Sequence, residues 1–203
     1  LKTYGIDTSH AVFIEEVVLK NLLKRLIKSK FVNRVDVYSQ ERRIVEGIQS
    51  TKLNFVESIS NEFESSEEII KDYIFLSTLE EPIVYYNLMF PFTAIGKLKN
   101  ALEAVKTGKY ESATGVIDKG VVWSRDSADY TDPMASTPSQ SEIDTVLDVG
   151  SFCIIRPENI LCGFRRTTPP VMLVPLASRE LVNMRNSADK ELYQLILSSG
   201  MSL

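Results

Sequence analysis

The chain has 203 residues, long enough for one α/β domain with its own hydrophobic core. Hydrophobic residues make up 44% and charged residues 25%, a balance that excludes a disordered or fibrous protein. Net charge is −4 and no apolar run approaches the ~18 residues of a membrane span, so neither nucleic acid nor membrane is expected as a partner. The N-terminal residues lack the charged-then-apolar pattern of a signal peptide. Cys153 and Cys162 sit among apolar neighbours, which predicts two buried thiols in a reducing compartment such as the cytoplasm.

Asp7, Thr8 or Ser9 is suited to cap a helix starting near Ala11, beside His10, the sole histidine, which reads as a surface or capping residue. Ile14, Val17, Val18, Leu22, Leu26 and Ile27 recur at helical spacing, and Lys20, Lys24, Arg25 and Lys28 read as a solvated basic face favoured by the helix dipole. Arg34 to Tyr38 alternates as a strand, and residues 41–48 read as a short helix. Ser65, Ser66, Glu67 and Glu68 form a capping-box pattern before Ile69, Ile70, Tyr73 and Ile74. Residues 82–89 form a continuous apolar and aromatic run, which suits a parallel strand covered on both faces.

Thr93 is placed to cap the next helix, with Ile95, Leu98, Leu102 and Val105 inward and Gly108 just beyond its end. Residues 111–117 are strand-like. The stretch 120–144 is polar and turn-rich, which inside a compact domain marks a functional loop or a projecting arm. Strands are again predicted over 147–155 and 171–174, with a short turn or helix from Pro157 between them. Ser187, Ala188 and Asp189 open a last helix with Leu192, Leu195 and Ile196 inward, and Asp189 as its cap. This alternation of helix and strand predicts one α/β layered domain over residues 1–203.

Several stretches carry a family likeness. Leu88-Met89-Phe90-Pro91 closes a strand and leads through a helix into residues 102–112. Asp148-Val149-Gly150-Ser151-Phe152 forms a second stretch, with Ser139-Gln140 upstream of it. Residues 28–37 form a third, and residues 171–197, with Asn183-Met184-Arg185 at their centre, a fourth. In this order, over roughly residues 14 to 200, the chain resembles the acylneuraminate and pseudaminic acid cytidylyltransferases. That resemblance implies a three-layer, mostly parallel sheet of the nucleotide-diphospho-sugar transferase type. It implies transfer of CMP from CTP to a nonulosonic (sialic-type) acid, with magnesium as cofactor if the chain is active. CTP, CMP or an acidic sugar is the implied ligand. The implied assembly is a homodimer, with 120–144 as the arm that reaches the partner's sugar pocket. Trp123 and Tyr130 suit interface anchors on such an arm.

The chain departs from that family where charge matters. The family carries Asp-Ile-Asp, which holds magnesium, where this chain has Asn183-Met184-Arg185. A guanidinium cannot ligate a hard cation. The family's Ala-Arg-x-Gly-Ser-Lys phosphate loop has no counterpart in the residues before Ile14, and its Arg-x-Gln element has become Pro138 with Gln140 kept. Two readings follow. One is a cytidylyltransferase-like protein with lost or strongly reduced catalysis and a binding or assembly role. The other is an active nucleotidyltransferase whose phosphate site is rebuilt around Arg185, helped by Arg165 and Arg166. Both place ligand contacts at the C-terminal ends of the strands, at Phe90, Pro91, Thr93, Gln140, Asp148, Gly150, Asn183 and Arg185. Gly150 would allow close approach of backbone and ligand. Neither reading assigns a catalytic residue or a metal ligand.

Overall fold

Helix α1, residues 20–28, buries Leu22 and Leu23, and Leu23 packs on Val35 and Val37 of strand β1 (Val35–Ser39). The computed structural model describes residues 20–39, 42–58, 66–77, 81–118, 146–163, 165–184 and 186–198. The expected helix start near Ala11, the 120–144 arm with Gln140, and Arg185 lie outside these residues. Strand β1 pairs in parallel with β2 (Leu53–Glu57), with Val35 opposite Leu53. The sequence reading had no strand at β2. The helix expected over 41–48 is a single 3-10 turn, Arg42–Val45, followed closely by Gly47 at φ +77°.

Helix α2 (Ser66–Ser77) links the two sheets by different means. Toward β1 it uses reciprocal polar pairs. The Tyr38 hydroxyl donates to Asp72, the Tyr73 hydroxyl donates to Asp36, and the two rings meet edge-on at 5.8 Å. Toward the larger sheet it buries Ile70 and Ile74 against Cys153 and Ile155.

That larger sheet contains β3 (Ile83–Tyr86), β4 (Ser112–Asp118), β5 (Val146–Ile155) and β6 (Val171–Pro175), in the order β3-β5-β4-β6. β3 and β4 run antiparallel to β5, and β4 runs parallel to β6, so three strands point one way and β5 opposes them. β3 is shorter than the apolar run 82–89, and its partner among the described residues is antiparallel rather than parallel.

Helix α3 (Ile95–Lys106) packs Leu98, Ala101 and Val105 against Ala113, Phe152, Ile154 and Val174. On the opposite face, Cys153 and Ile155 meet α2 and Ile160 of the short helix α4 (Pro157–Leu161). Alternate residues of β5 thus point to two covered faces, which is why 151–155 are buried without interruption. Three layers result, helix on sheet on helix, as the family resemblance implies.

Three local expectations are corrected. The N-cap position of α3 is Ala94, and the Thr93 hydroxyl instead donates to the Phe90 carbonyl. In helix α5 (Ser187–Ser198), Leu192 and Leu195 are exposed and Tyr193 is the buried residue, packed with Met184, Met89 and Phe92. Cys153 is buried as expected, whereas Cys162 is exposed.

Candidate functional site

The C-terminal ends of β3, β4 and β6 share one edge of the sheet with the first half of β5, since Val116 lies opposite both Asp148 and Pro175. The turn leaving β3 is the hub of this edge. Asn87 engages both halves of its amide: Nδ2 donates to the Gly150 carbonyl at 2.8 Å, and Oδ1 accepts from the Met89 N–H at 3.1 Å. Its backbone N–H donates to the Ser151 carbonyl at 2.9 Å. Tyr86 Oη donates to the Phe90 carbonyl at 2.9 Å, and Arg25 of α1 donates to the Pro91 carbonyl at 3.0 Å. Burial pushes the Tyr86 hydroxyl up to about 12, so it remains a donor at any working pH. Phe90, Pro91 and Thr93 are all buried, and they shape the turn from beneath.

β5 carries the second feature, a wide bulge. Its register with β4 passes from Thr114 opposite Cys153 to Val116 opposite Asp148, so Gly115 alone faces residues 149–152. A Cβ on Gly115 would stand 2.5 Å from Ser151 Oγ and 3.0 Å from side-chain carbons of Leu176 and Phe152, so a larger residue would have to push these side chains aside. Gly150, at φ +68°, turns the bulge, and Asp148 Oδ1 accepts its N–H at 2.8 Å. Over this turn lies Arg166, whose Nη2 donates to Asp148 Oδ2 at 3.0 Å and whose Nε stands 3.7 Å from Glu67 in the first turn of α2. Beneath it, burial pushes the Cys153 thiol up to about 12, which keeps it unreactive.

The third feature follows β6. The 3-10 turn Ser178–Leu181 delivers Glu180, which is 1% exposed. Its carboxylate accepts the Ala94 N–H at 2.8 Å and the Ala177 N–H at 2.7 Å, and it pairs with Lys97. Lys97 also donates to the Pro175 carbonyl at 2.7 Å. Burial alone would raise the Glu180 carboxyl, but the bonds from Lys97, Ala177 and Ala94 outweigh it and hold the group below its usual range. An anion from 86 residues away therefore caps α3, where the helix dipole favours negative charge.

Beyond that turn, the Met184 N–H donates to the Met89 carbonyl at 2.9 Å, which brings the 183–184 loop onto the β3 exit. Asp189 Oδ2 accepts the Asn183 N–H at 2.9 Å. The cap of α5 is Asn186, whose Oδ1 accepts the Ala188 N–H at 3.1 Å, so Asp189 bridges back to the loop rather than capping the helix. Magnesium needs a set of oxygen ligands, anionic ones above all. At this loop the described residues offer an amide, Asn183, and one carboxylate already holding a backbone N–H. Among the described residues no three of His, Cys, Asp and Glu group to hold a metal ion. The described residues at this loop do not fit a magnesium site.

Of the positions singled out in the sequence, Phe90, Pro91, Thr93, Asp148, Gly150 and Asn183 thus gather around one edge. Arg185 and Gln140 lie outside the described residues. Sequence reasoning missed Asn87, Glu180 and the placement of Arg166. Asn87 stands at a strand exit, where a polar residue after an apolar run is a usable signal. Glu180 and Arg166 act on partners far away in sequence, and no local pattern announces them.

No family model matches the sequence, and a search of curated proteins finds no relative. Solved structures do match. One is 4-diphosphocytidyl-2C-methyl-D-erythritol synthase from Anaerococcus prevotii, with a TM-score of 0.60 and 11% identity over 89% of this chain and 86% of that one. Another is a CMP:2-keto-3-deoxy-manno-octonic acid synthetase complexed with CTP, with a TM-score of 0.52 and 14% identity over 90% of this chain and 75% of that one. At such identities the likeness establishes the fold, which is that of the nucleotide-diphospho-sugar transferases.

Proposed function

We propose that this protein is a cytidylyltransferase-like binding protein. On this reading it holds a cytidine nucleotide or an acidic sugar at the C-terminal edge of the strands, with little or no cytidylyl transfer. The fold supports the ligand class, since both solved structures above are named for cytidylyl or CMP products and one is complexed with CTP. The observation that carries the loss of catalysis is the loop after β6. Asn183 and Arg185 stand where the resembling enzymes carry aspartates, and the acid that remains, Asp189, is engaged by the Asn183 N–H. Cytidylyl transfer depends on neutralising triphosphate charge, and losing a few kcal/mol of that neutralisation costs several orders of magnitude in rate.

Calorimetric titration with CTP and CMP, with magnesium and then with EDTA, tests the binding half of this reading. Saturable binding whose affinity does not depend on magnesium is expected. CTP binding that collapses in EDTA would show that a metal is held after all. The nonulosonic acid specificity and the dimer arm belong to the same proposal. Asp118, the last residue of β4, lies opposite Val146, the first of β5. Deleting 126–141 should convert a sedimenting dimer into a monomer; identical sedimentation of both forms would end that part.

A further inference from the structure

On this edge Arg166 differs from Arg25 and Lys97 in its partner, a part-exposed carboxylate rather than a backbone carbonyl or the buried Glu180. Arg25 is fixed on the Pro91 carbonyl, and Lys97 is held by Glu180 and by the Pro175 carbonyl. The Arg166 guanidinium has five N–H donors, and among the described residues its only hydrogen bond goes to Asp148. Its second acidic neighbour, Glu67, stands at 3.7 Å, an ion pair beyond hydrogen-bond reach. Side-chain exposures of 22% for Arg166, 30% for Asp148 and 37% for Glu67 leave all three in reach of a solute.

We propose that Arg166 is the anion receptor of this edge, taking a ligand's oxyanion in exchange for Asp148. That oxyanion is the carboxylate of an acidic sugar or the phosphate of a nucleotide. The exchange costs Asp148 little, because its Oδ1 keeps the Gly150 N–H and its Oδ2 is left to water. Gly150 contributes by what it lacks: a Cβ would stand 3.5 Å from Nη1, so the bulge keeps side-chain bulk off that face of the guanidinium. A planar fork of donors suits carboxylate and phosphate alike, and a guanidinium is weakly hydrated enough to change partners. Asn87 ties the bulge under Arg166 to the β3 exit, so a ligand held here reaches the turn that carries Phe90 and Pro91. The loop that bears Arg166 lies between α4 and β6, and in sequence it is separate from the β5 stretch, Asp148 to Phe152, that carries the family resemblance. This inference rests on the reading that the C-terminal strand edge is the ligand side.

Competition gives the test. Wild type, Arg166→Ala and Asp148→Asn are titrated with N-acetylneuraminate, its methyl ester, CMP and cytidine. The acid or CMP, whichever uses the receptor, should bind Arg166→Ala at least about tenfold more weakly, with the uncharged ester or nucleoside unaffected. Asp148→Asn keeps the acceptor for Gly150 and removes the competing charge, so the same anion should bind it several-fold more tightly. A plain structural latch predicts the reverse: Asp148→Asn would weaken binding as Arg166→Ala does, and that outcome overturns the proposal. Unchanged anion affinity in Arg166→Ala also overturns it, while leaving the reading of a binding protein intact. Failure of the anions and of cytidine alike to bind wild type would overturn both.

Discussion

Glu180 and Asp148 are both carboxylates near the C-terminal edge of the strands, each facing a cation, and they are held in opposite ways. Glu180 is enclosed, accepts two backbone N–H groups and pairs with Lys97, so no solute can reach it. Asp148 is half-buried, accepts one backbone N–H and shares Arg166 loosely with Glu67. The first arrangement is part of the framework: it joins the start of α3 to the turn after β6. The second leaves a guanidinium with unused donors beside a glycine bulge. A shared charge type thus serves structure in one place and remains exchangeable in the other, and satisfaction of hydrogen bonds separates the two.

The contrast is broken most severely at Glu180. Glu180→Ala strands two backbone N–H groups and leaves Lys97 only the Pro175 carbonyl, and should lower unfolding free energy in urea by about 3 kcal/mol. A loss near zero would show that the pair adds nothing. The pH dependence has a definite sign. The folded carboxyl sits below its ordinary value of 4.5, so the unfolded chain binds the proton first as pH falls. Stability from Glu180 is therefore present above about pH 4.5 and is lost on descending through the folded value. The difference between wild type and Glu180→Ala should shrink in that acid range and stay constant above it.

Gly115 lies between the two regions, and Gly115→Ala should cost about 1–3 kcal/mol through overpacking against Ser151, Phe152 and Leu176. A melting temperature equal to that of wild type would mean that the bulge relaxes freely. Arg166→Ala should change stability least, by under about 1 kcal/mol, with the difference fading in high salt. A large, salt-insensitive loss would move Arg166 into the framework class with Glu180.

How far the sequence foretold these features depends on the range of the interaction. Helix α3 was legible because Leu98 and Val105 recur at helical spacing and Gly108, at φ +76°, stops the chain where an αL residue is needed. β5 was legible as a strand over 147–155, and coverage on both faces explains why its last residues, Phe152 to Ile155, are apolar without alternation. The face of α5 was misread because Leu192, Tyr193, Leu195 and Ile196 are nearly continuous in apolarity. Phe92 and Met184, from elsewhere in the chain, decide that Tyr193 goes inward. Thr93 looked like a cap because capping is normally local, whereas Glu180 supplies the acceptor from across the fold. β2 was missed as a five-residue strand bearing Asn54 and Glu57, whose partner β1 is specified only in the folded state. Asn87 and Arg166 join Asp148 and Gly150 by the same route, so Asp148 and Gly150 were visible in the sequence and the residues that tie them to the β3 exit and to the loop before β6 were not.

The central claim is that a cytidylyltransferase fold here binds without transferring. Pyrophosphate release from CTP in the presence of magnesium and a panel of nonulosonic acids tests it most directly. The account predicts release indistinguishable from the protein-free control. Sustained, sugar-acid-dependent release that disappears in Arg185→Ala would contradict it and establish a working enzyme with a rebuilt phosphate site.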